Sequence, residues 1–367
     1  MKDQELFFTL NLLSTEGVGE VIARRLLVHF GTAEQIFKAT KNDLIQVQGV
    51  RDSLWDKLKN DTSKSFADRE LNYIKKNNVS YTYFRDTDYP NKLLSCSDAP
   101  ILLFKKGNIN LQSKRLLSVV GCRNPSKYAL NYIRELIEEI SHFNPIIVSG
   151  MAYGCDITAH LLATEFGLQT IGLLAHGLNQ MYPKAHESYI DKICEHGGFM
   201  TEFWSNSYPD KDNFLKRNRI IAGMSEATVI IESTLSGGAL KTAVLAARYN
   251  RLVFALPGRV SDVYSQGGNY LIHNKTASIL TKTNDIVQAL QWGSAQEAVV
   301  GVQKKLFENL DDDQQAIFDY LHFQGKSFLD LISFHTQIPV QKTASILLQL
   351  EIKGMVTVSP GNYYEVL

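Results

Sequence analysis

Apolar residues recur at helical spacing over the first part of the chain. Between residues 5 and 76 they fall three or four positions apart, as at Val21, Ile22, Leu26 and Leu27, and strand-like runs are absent. This pattern predicts a small all-helical domain over residues 1–80.

Short β-branched runs then alternate with helical patterns from about residue 108 to residue 290. The candidate strands are 116–121, 146–149, 170–175, 199–202, 228–232 and 252–256. Near-continuous apolar strands separated by helices are typical of a parallel sheet covered on both faces. The pattern predicts an α/β fold, a Rossmann-like doubly wound parallel sheet, in a domain spanning residues 81–291. Its ligands are expected beyond the carboxyl ends of the strands.

The last part of the chain has a different pattern. Residues 292–309 are weakly patterned and are interpreted as a linker. In the domain at 310–367, helical patterns at 317–323, 329–335 and 339–350 precede two strand-like runs at 355–358 and 363–366. Three helices followed by a β-hairpin predict a winged helix.

The balance of charges limits the kind of nucleic-acid site that the protein can have, and the cysteine spacing argues against a metal site. Lys plus Arg and Asp plus Glu each number 38, so the whole molecule cannot attract a polyanion through net charge. A nucleic-acid site must therefore be a local patch. The four cysteines show no CxxC spacing, which indicates reduced thiols and no metal site.

Two features bear on location. The first residues lack the basic, apolar and small-residue regions of a secretory signal, and no run approaches the roughly 18 to 20 apolar residues that span a bilayer. We expect a cytoplasmic protein without membrane contact.

Two glycine turns in the helical domain resemble helix-hairpin-helix units. Gly17 and Gly19 precede one helical pattern, and Gly49 precedes another. Glycines let backbone N–H groups at a helix N-terminus face a phosphate. A tight packing turn between helices is the alternative.

The first strand-to-helix junction of the α/β domain carries Gly121, Arg123 and Ser126. A guanidinium and free N–H groups that converge at a helix start can bind an anion. The spacing is not G-x-G-x-x-G, so a dinucleotide is disfavoured. Taken alone, the junction could equally be a turn with an exposed arginine.

Two further junctions repeat small residues at a helix start. Gly150 and Gly154 stand at one, and Gly237, Gly238 and Thr242 at the other, where a backbone open to phosphate is expected. Asp156 and His160, four residues apart, could be an acid/base pair, but no nucleophile is identifiable beside them. Hydrogen bonds to each other or to the neighbouring loop are the favoured interpretation.

The segment before the fifth predicted strand holds the densest functional pattern. It combines Lys211, Phe214, Arg217, Asn218 and Arg219. Interleaved cations and aromatic rings suit single-stranded nucleic acid, because charges follow phosphates and rings stack on bases. The alternative is a solvated helix face with Phe214 in the core.

Together these segments resemble the DNA-processing protein A (DprA/Smf) family over nearly the whole chain. The motifs GCRNPSKY, SGMAYGCDITAH, GLNQMYPKAH, FLKRNRIIAG, ESTLSGGALKTA and FALPGRVSDVYSQGGNYLI occur in family order. The resemblance implies an N-terminal helical domain of SAM or helix-hairpin-helix type, an extended Rossmann domain and a winged helix.

The resemblance also implies function. It implies single-stranded-DNA binding, protection of incoming DNA, homodimerisation and loading of the RecA recombinase during natural transformation, with no cofactor. Arg123, Lys211 and Phe214 match the family's DNA contacts, and Lys184 is a further match. Cys155 departs from the family, which usually has a β-branched residue there. Ala129 departs too, where a glycine is common.

The sequence disfavours two other functions, a nucleotide hydrolase and a sequence-specific regulator. Rossmann-like nucleotide hydrolases of the LOG or lysine-decarboxylase-like type pair PGG-x-GT with a glutamate, but here Ser236 replaces the proline and Ala243 and Val244 follow Thr242. We therefore expect no catalysis and no catalytic residue. A sequence-specific regulator is disfavoured because residues 310–367 carry three lysines, seven acids and no arginine. Protein contact is the favoured role of the winged helix.

Overall fold

The structure is a computed structural model that describes residues 3–59, 61–111, 115–293, 310–353, 355–359 and 363–366. The chain divides into two compact units, residues 1–293 and 294–367, which are described separately. The predicted linker at 292–309 lies almost wholly outside the described residues.

The N-terminal segment is helical, as its apolar spacing predicts. Its described residues up to position 76 form α1 (Asp3–Ser14), α2 (Glu20–Phe30), α3 (Ala33–Lys38), α4 (Lys41–Ile45), α5 (Ser53–Leu58) and α6 (Asp61–Lys76). Buried leucines such as Leu6, Leu10 and Leu26 join these helices in one core. Thr40 begins α4 with a capping box, because its hydroxyl accepts the Asp43 N–H and the Asp43 carboxylate accepts the Thr40 N–H.

The described residues of the first unit also form a nine-stranded sheet. Its strands are β1 (Ser80–Tyr83), β2 (Leu102–Gly107), β3 (Leu116–Val120), β4 (Ile146–Gly150), β5 (Thr170–Leu173), β6 (Gly197–Thr201), β7 (Ala227–Ile230), β8 (Leu252–Ala255) and β9 (Ser278–Ile279). Their order is β1-β2-β6-β5-β4-β3-β7-β8-β9. Strands β3 to β9 pair in parallel, and β1 and β2 add antiparallel pairs.

All six predicted strands are present, and β1, β2 and β9 were not predicted. β1 and β9 are the edges of the sheet, with exposed residues, and the last three residues of β2 are Lys105, Lys106 and Gly107. These strands therefore lack the continuous apolar pattern by which the central strands are recognised.

Helices cover both faces of the sheet. They are α7 (Asn91–Leu94), α8 (Lys127–Ile140), α9 (Cys155–Glu165), α10 (Ile190–Glu195), α11 (Lys211–Met224), α12 (Gly238–Arg248), α13 (Gln266–His273) and α14 (Thr283–Ala289), with 3₁₀ turns at Ser141–Phe143 and Lys184–Tyr189. Residues of α11 and α12 share a core with the N-terminal helices, whereas α8, α9 and α14 enclose a second core. The Rossmann-like fold is thereby confirmed.

Direct contacts tie the N-terminal helices to the α/β part. The Glu20 carboxylate accepts the Ile101 N–H at 2.8 Å, and the Ser205 hydroxyl donates to Glu70 at 2.6 Å. The N-terminal helices also share a continuous apolar core with one face of the sheet. A domain boundary near residue 80 stays a prediction.

The second unit has the predicted winged-helix order. Its described residues form helices Asp312–Gln324, Leu329–Thr336 and Val340–Ile352, and strands Ser327–Phe328, Val356–Ser359 and Tyr363–Val366. The last two strands pair antiparallel, and the short strand joins them as a third. Ile317, Leu321, Ile332 and Leu347 lie in its apolar core.

Candidate functional site

A pocket of about 430 Å³ opens at the carboxyl ends of β3 and β7. The chain runs from β3 to β4, β5 and β6 on one side of the sheet and then returns to β7 and β8 on the other. The pocket thus lies at the topological switch point, where doubly wound sheets bind ligands. Of the predicted residues, it is lined by Gly121, Arg123, Phe214, Arg217, Asn218, Gly237, Gly238 and Thr242.

The loop between β3 and α8 presents Arg123 to this pocket. Arg123 and Ser126 are both exposed residues. The Ser126 hydroxyl also accepts the Ala129 N–H at 3.1 Å as the cap of α8 and donates to Glu232 at 2.6 Å. Glu232 also accepts the Ser126 N–H at 3.0 Å. Ser126 therefore shapes the loop, and Arg123 is the cation that the loop offers to a ligand.

Gly150 and Gly154 are glycines because protein atoms approach them closely. A Cβ atom on Gly150 would lie 2.4 Å from Nη1 of Arg217, and one on Gly154 would lie 2.4 Å from the Arg123 carbonyl oxygen. Gly154 also has a φ of 77°, which side chains rarely adopt. Neither glycine lines the pocket, so both support it from behind.

Arg217 and Asn218 belong to the buried face of α11. Both are less than a tenth exposed, and the Arg217 guanidinium donates to the Leu173 carbonyl and to Asn218 Oδ1. Burial raises the pKa of Asp156 to about 6, and the Arg217 charge opposes that rise. Arg217 thus balances a buried carboxyl in the wall of the pocket, which both residues line.

Asp156 and His160 do not form an acid/base pair. The Asp156 carboxylate accepts the Ala152 N–H at 3.4 Å, and the His160 ring bonds Thr170 Oγ1 and the Gly150 carbonyl, each at 2.7 Å. Burial lowers the pKa of His160 to about 4. Of the two favoured interpretations, a bond to the neighbouring loop is confirmed for Asp156, and the two ring bonds of His160 go to residues other than Asp156.

The first turn of α11 faces the pocket through Phe214. This ring is half-buried, and the Tyr182 ring lies 5.8 Å from it between centroids. That contact brings the segment carrying Lys184 beside α11, because Tyr182 precedes Lys184 by two residues. Lys184 and Lys211 are both exposed, each at the start of its helix, and neither lines the pocket.

Arg219 lies apart from this pocket. Its guanidinium forms an ion pair with Glu202 and donates to the Asp98 carbonyl. With Lys216 it lines a different pocket of about 430 Å³ beside the start of α2. The helical period explains this placement, because residues 214 and 219 point to different sides of α11.

The start of α12 completes the pocket. A Cβ atom on Gly238 would meet nothing within 4 Å, so the helix N-terminus is open there, whereas one on Gly237 would lie 2.3 Å from Ser233 Oγ. Thr242 is buried, and its hydroxyl donates to the Gly238 carbonyl at 3.2 Å.

The sequence motifs did not indicate several other residues that line the pocket. They are Cys122, Asn124, Ser233, Thr234 and Tyr264. Ser233 and Thr234 could have been predicted from their place in the sequence, because they directly follow the fifth predicted strand, which ends at Glu232. Tyr264 has no local signal, because it reaches the pocket through a hydrogen bond from the Ser233 N–H to its carbonyl at 2.6 Å.

The glycine turns of the helical domain also meet at a pocket, of about 310 Å³. Lys57, which lines this pocket, pairs with Glu16 at 2.9 Å, and Arg25, close to Gly49, donates to the Gln48 carbonyl at 2.8 Å. The packing-turn and phosphate-binding interpretations both remain open for this element.

Within the described residues, no helix combines the length and apolarity needed to cross a membrane. Over the same ranges, no three His, Cys, Asp or Glu side chains are grouped to hold a metal ion.

Comparison with known proteins identifies the family. A family model described as DNA recombination-mediator protein A matches residues 80–291, and the DprA winged helix domain matches residues 306–362. Protein Smf of Synechocystis sp. is 27% identical over 100% of both chains.

Solved structures agree with this result. DNA processing protein A of Streptococcus pneumoniae superposes with a TM-score of 0.66 and 28% identity, over 79% of this chain and 98% of that one. The Helicobacter pylori protein, solved for its single-stranded-DNA binding mode, gives a TM-score of 0.53 and 27% identity over 58% and 95%. The chain belongs to the DNA-processing protein A (DprA/Smf) family.

Proposed function

We propose that this protein binds single-stranded DNA at the pocket between the ends of β3 and β7. One observation carries the proposal: the exposed guanidinium of Arg123 and the ring of Phe214 line the same pocket, beside the open N-terminus of α12. A cation and the free N–H groups of a helix N-terminus can bind phosphates, and an aromatic ring can stack on a base, so together they suit single-stranded DNA.

The similar proteins support this chemistry. The Helicobacter pylori relative has a described single-stranded-DNA binding mode, and the family model is a recombination mediator. The loop after β3 does not have the G-x-G-x-x-G spacing of a dinucleotide site, and the polar groups at the strand ends can follow a DNA backbone instead.

The predicted residues divide into contacts and supports. We assign direct DNA contact to Arg123 and Phe214, to the open backbone at Gly238, and to the flanking exposed Lys184 and Lys211. Arg217 and Asn218 hold the inner face of α11, and Arg219 is paired with Glu202. These three residues are assigned a supporting role.

The finer parts of the function rest on the family resemblance. We propose that the protein protects incoming DNA and loads RecA during transformation, acts as a homodimer in the cytoplasm, and binds without catalysis. Sustained hydrolysis of a nucleotide by the pure protein, removed by a substitution in the pocket, would contradict the last point.

Binding isotherms at several salt concentrations test the site. Arg123→Ala and Lys211→Ala should weaken binding to a labelled oligonucleotide and flatten the dependence of log K on log salt by roughly 0.7 each. The matched control is Arg134→Ala, because Arg134 is exposed on α8 and pairs with Glu165. An Arg123→Ala variant with wild-type affinity and slope would refute the assignment.

Two substitutions at Phe214 distinguish its possible roles, because the ring can either stack on a base or pack in the protein core. Phe214→Leu keeps most of the apolar volume and removes the aromatic face. If the ring stacks, Phe214→Leu and Phe214→Ala should both lose on the order of 1 to 3 kcal/mol of binding with the salt slope unchanged. Loss of thermal stability in Phe214→Ala with full affinity in Phe214→Leu would establish a packing role instead.

A further inference from the structure

Two cysteines meet at the edge of the proposed DNA pocket. Cys122 follows Gly121, is half-buried and lines the pocket, whereas Cys155 is the first residue of α9 and fully buried. The Cys155 N–H donates to the Cys122 carbonyl at 3.1 Å. Residues 33 positions apart in sequence are thereby fixed side by side.

The two thiols also lie close enough to interact, and the Cys122 thiol donates to Glu232 Oε2 at 3.5 Å. Cys155 Sγ lies against Gly121, the residue before Cys122, because a Cβ atom there would be 2.4 Å from it. Standard bond lengths and one N–H···O=C bond of 3.1 Å keep the two Cα atoms at most about 7 Å apart, which overlaps the range that a disulfide spans. Both the backbone and the thiols therefore allow a bond without unfolding.

We propose that Cys122 and Cys155 form a reversible disulfide when the protein meets a hydroperoxide, and that this bond weakens the DNA site. The Cys122 thiolate attacks one peroxide oxygen, the O–O bond breaks, and the departing oxygen leaves as water or alcohol after taking a proton. The Cys155 sulfur then attacks the sulfenic sulfur of Cys122 and releases water. The two thiols are oxidised, and the hydroperoxide is reduced.

The order of attack follows from exposure and ionisation. Cys122 faces the pocket, through which a small peroxide can enter, whereas Cys155 is closed off. The Cys155 hydrogen bond lowers the pKa of the Cys122 thiol, while the same contact and burial raise the pKa of Cys155. A thiolate is the reactive form, so Cys122 attacks first and Cys155 resolves the intermediate.

Disulfide formation should weaken DNA binding because Cys122, and not Cys155, has to move. A Cβ atom on Gly121 would lie 2.4 Å from Cys155 Sγ, so the Cys155 sulfur is packed against the loop backbone. Bond formation must therefore draw Cys122 away from Glu232, and Arg123 is the next residue. This part rests on the proposed function, because it assumes that Arg123 contacts DNA.

The experiment compares reduced and peroxide-treated full-length protein. Mass spectrometry of tryptic peptides should find a link between Cys122 and Cys155, with two of the four thiols lost. Affinity for a single-stranded oligonucleotide should fall about tenfold, the effect expected for one charged hydrogen bond, and dithiothreitol should restore it.

Variants isolate the pair. Cys122→Ser, at a half-buried position where the hydroxyl can still donate to Glu232, should form no link, and its affinity should not respond to peroxide. Cys155→Val should behave likewise. The matched control is Cys194→Ser, a half-buried cysteine on α10, which should keep the wild-type response.

Contrary results are distinguishable. A wild-type protein that keeps all four thiols, or that forms its link through Cys194, would overturn the proposal. A link that forms with no change in affinity would overturn its effect on binding. Reduced protein that fails to bind DNA, while the link still forms, would instead refute the proposed function.

Discussion

Arg217 occupies the space that a side chain at Gly150 would need. A Cβ atom at position 150 would lie 2.4 Å from Arg217 Nη1 and 2.6 Å from Asp156 Oδ2. The glycine at the end of β4 therefore admits a buried guanidinium, and through it α11 is held against the sheet. With its inner face fixed in this way, α11 directs Phe214 toward the pocket.

Gly150→Ala should destabilise the protein by about 1 to 3 kcal/mol, because the new methyl group overpacks a buried polar cluster. Urea unfolding measures this change. Gly238→Ala is the matched control, since its methyl group would meet nothing within 4 Å at the start of α12. Equal stability of the two variants would show that Arg217 yields easily to the added carbon.

Arg217→Met should cost about 3 to 5 kcal/mol at pH 8, because it leaves the ionised Asp156 buried without its cation. The cost should shrink at pH 5, where Asp156, with a pKa raised to about 6 even beside Arg217, is largely protonated. Urea unfolding at both pH values checks this. Arg123→Ala, an exposed arginine, should leave stability unchanged at either pH. A pH-independent loss in Arg217→Met would remove Asp156 from the explanation.

Ionisation of the buried Glu20 carboxyl should lower the free energy of unfolding as pH rises. Burial, aided by the Glu202 charge, raises its pKa from 4.5 to about 7 in the folded protein, so the folded state holds this proton more tightly than the unfolded chain. Its favourable contribution is full below pH 4.5 and is lost as pH rises through 7.

Glu20→Gln measures that contribution. The variant keeps an oxygen that can accept the Ile101 N–H, and its stability should lack the wild-type decline of roughly 3 kcal/mol between pH 4.5 and 7. Urea unfolding across this range checks it, with the exposed Glu16→Gln as the control. A decline of the same size in Glu20→Gln would assign the pH dependence to other groups.

A chain ending at Gly293 should fold and retain most single-stranded-DNA affinity, because the predicted contacts all lie in the first unit. A chain ending at Gln291 should be less stable by about 3 to 5 kcal/mol. The shorter chain lacks Trp292, which is 3% exposed and donates through Nε1 to Glu226 at 3.1 Å. Thermal melting and the same binding assay separate the two. Loss of binding in the folded 1–293 chain would place the DNA site elsewhere.

Local patterns in the sequence determined most of the fold. The central parallel strands are buried on both faces, so each appears as an apolar run, and each helix of the winged-helix unit carries its own apolar spacing. The edge strands β1 and β9 and the neighbouring β2 escaped prediction because they are short or partly exposed, which removes that pattern. The strand-to-helix junctions further predicted Arg123 and Gly238 beyond the ends of strands, and the family motifs implied a DNA contact for Phe214.

Only the tertiary structure decided which predicted residues can meet a ligand. Arg217 and Arg219 belong to the same basic run as Lys211, yet one balances buried Asp156 and the other pairs with Glu202. Likewise, Gly150 and Gly154 make room for protein atoms, while Gly238 faces open space. These differences arise from neighbours far away in sequence, because burial and partner charges depend on how the elements pack together.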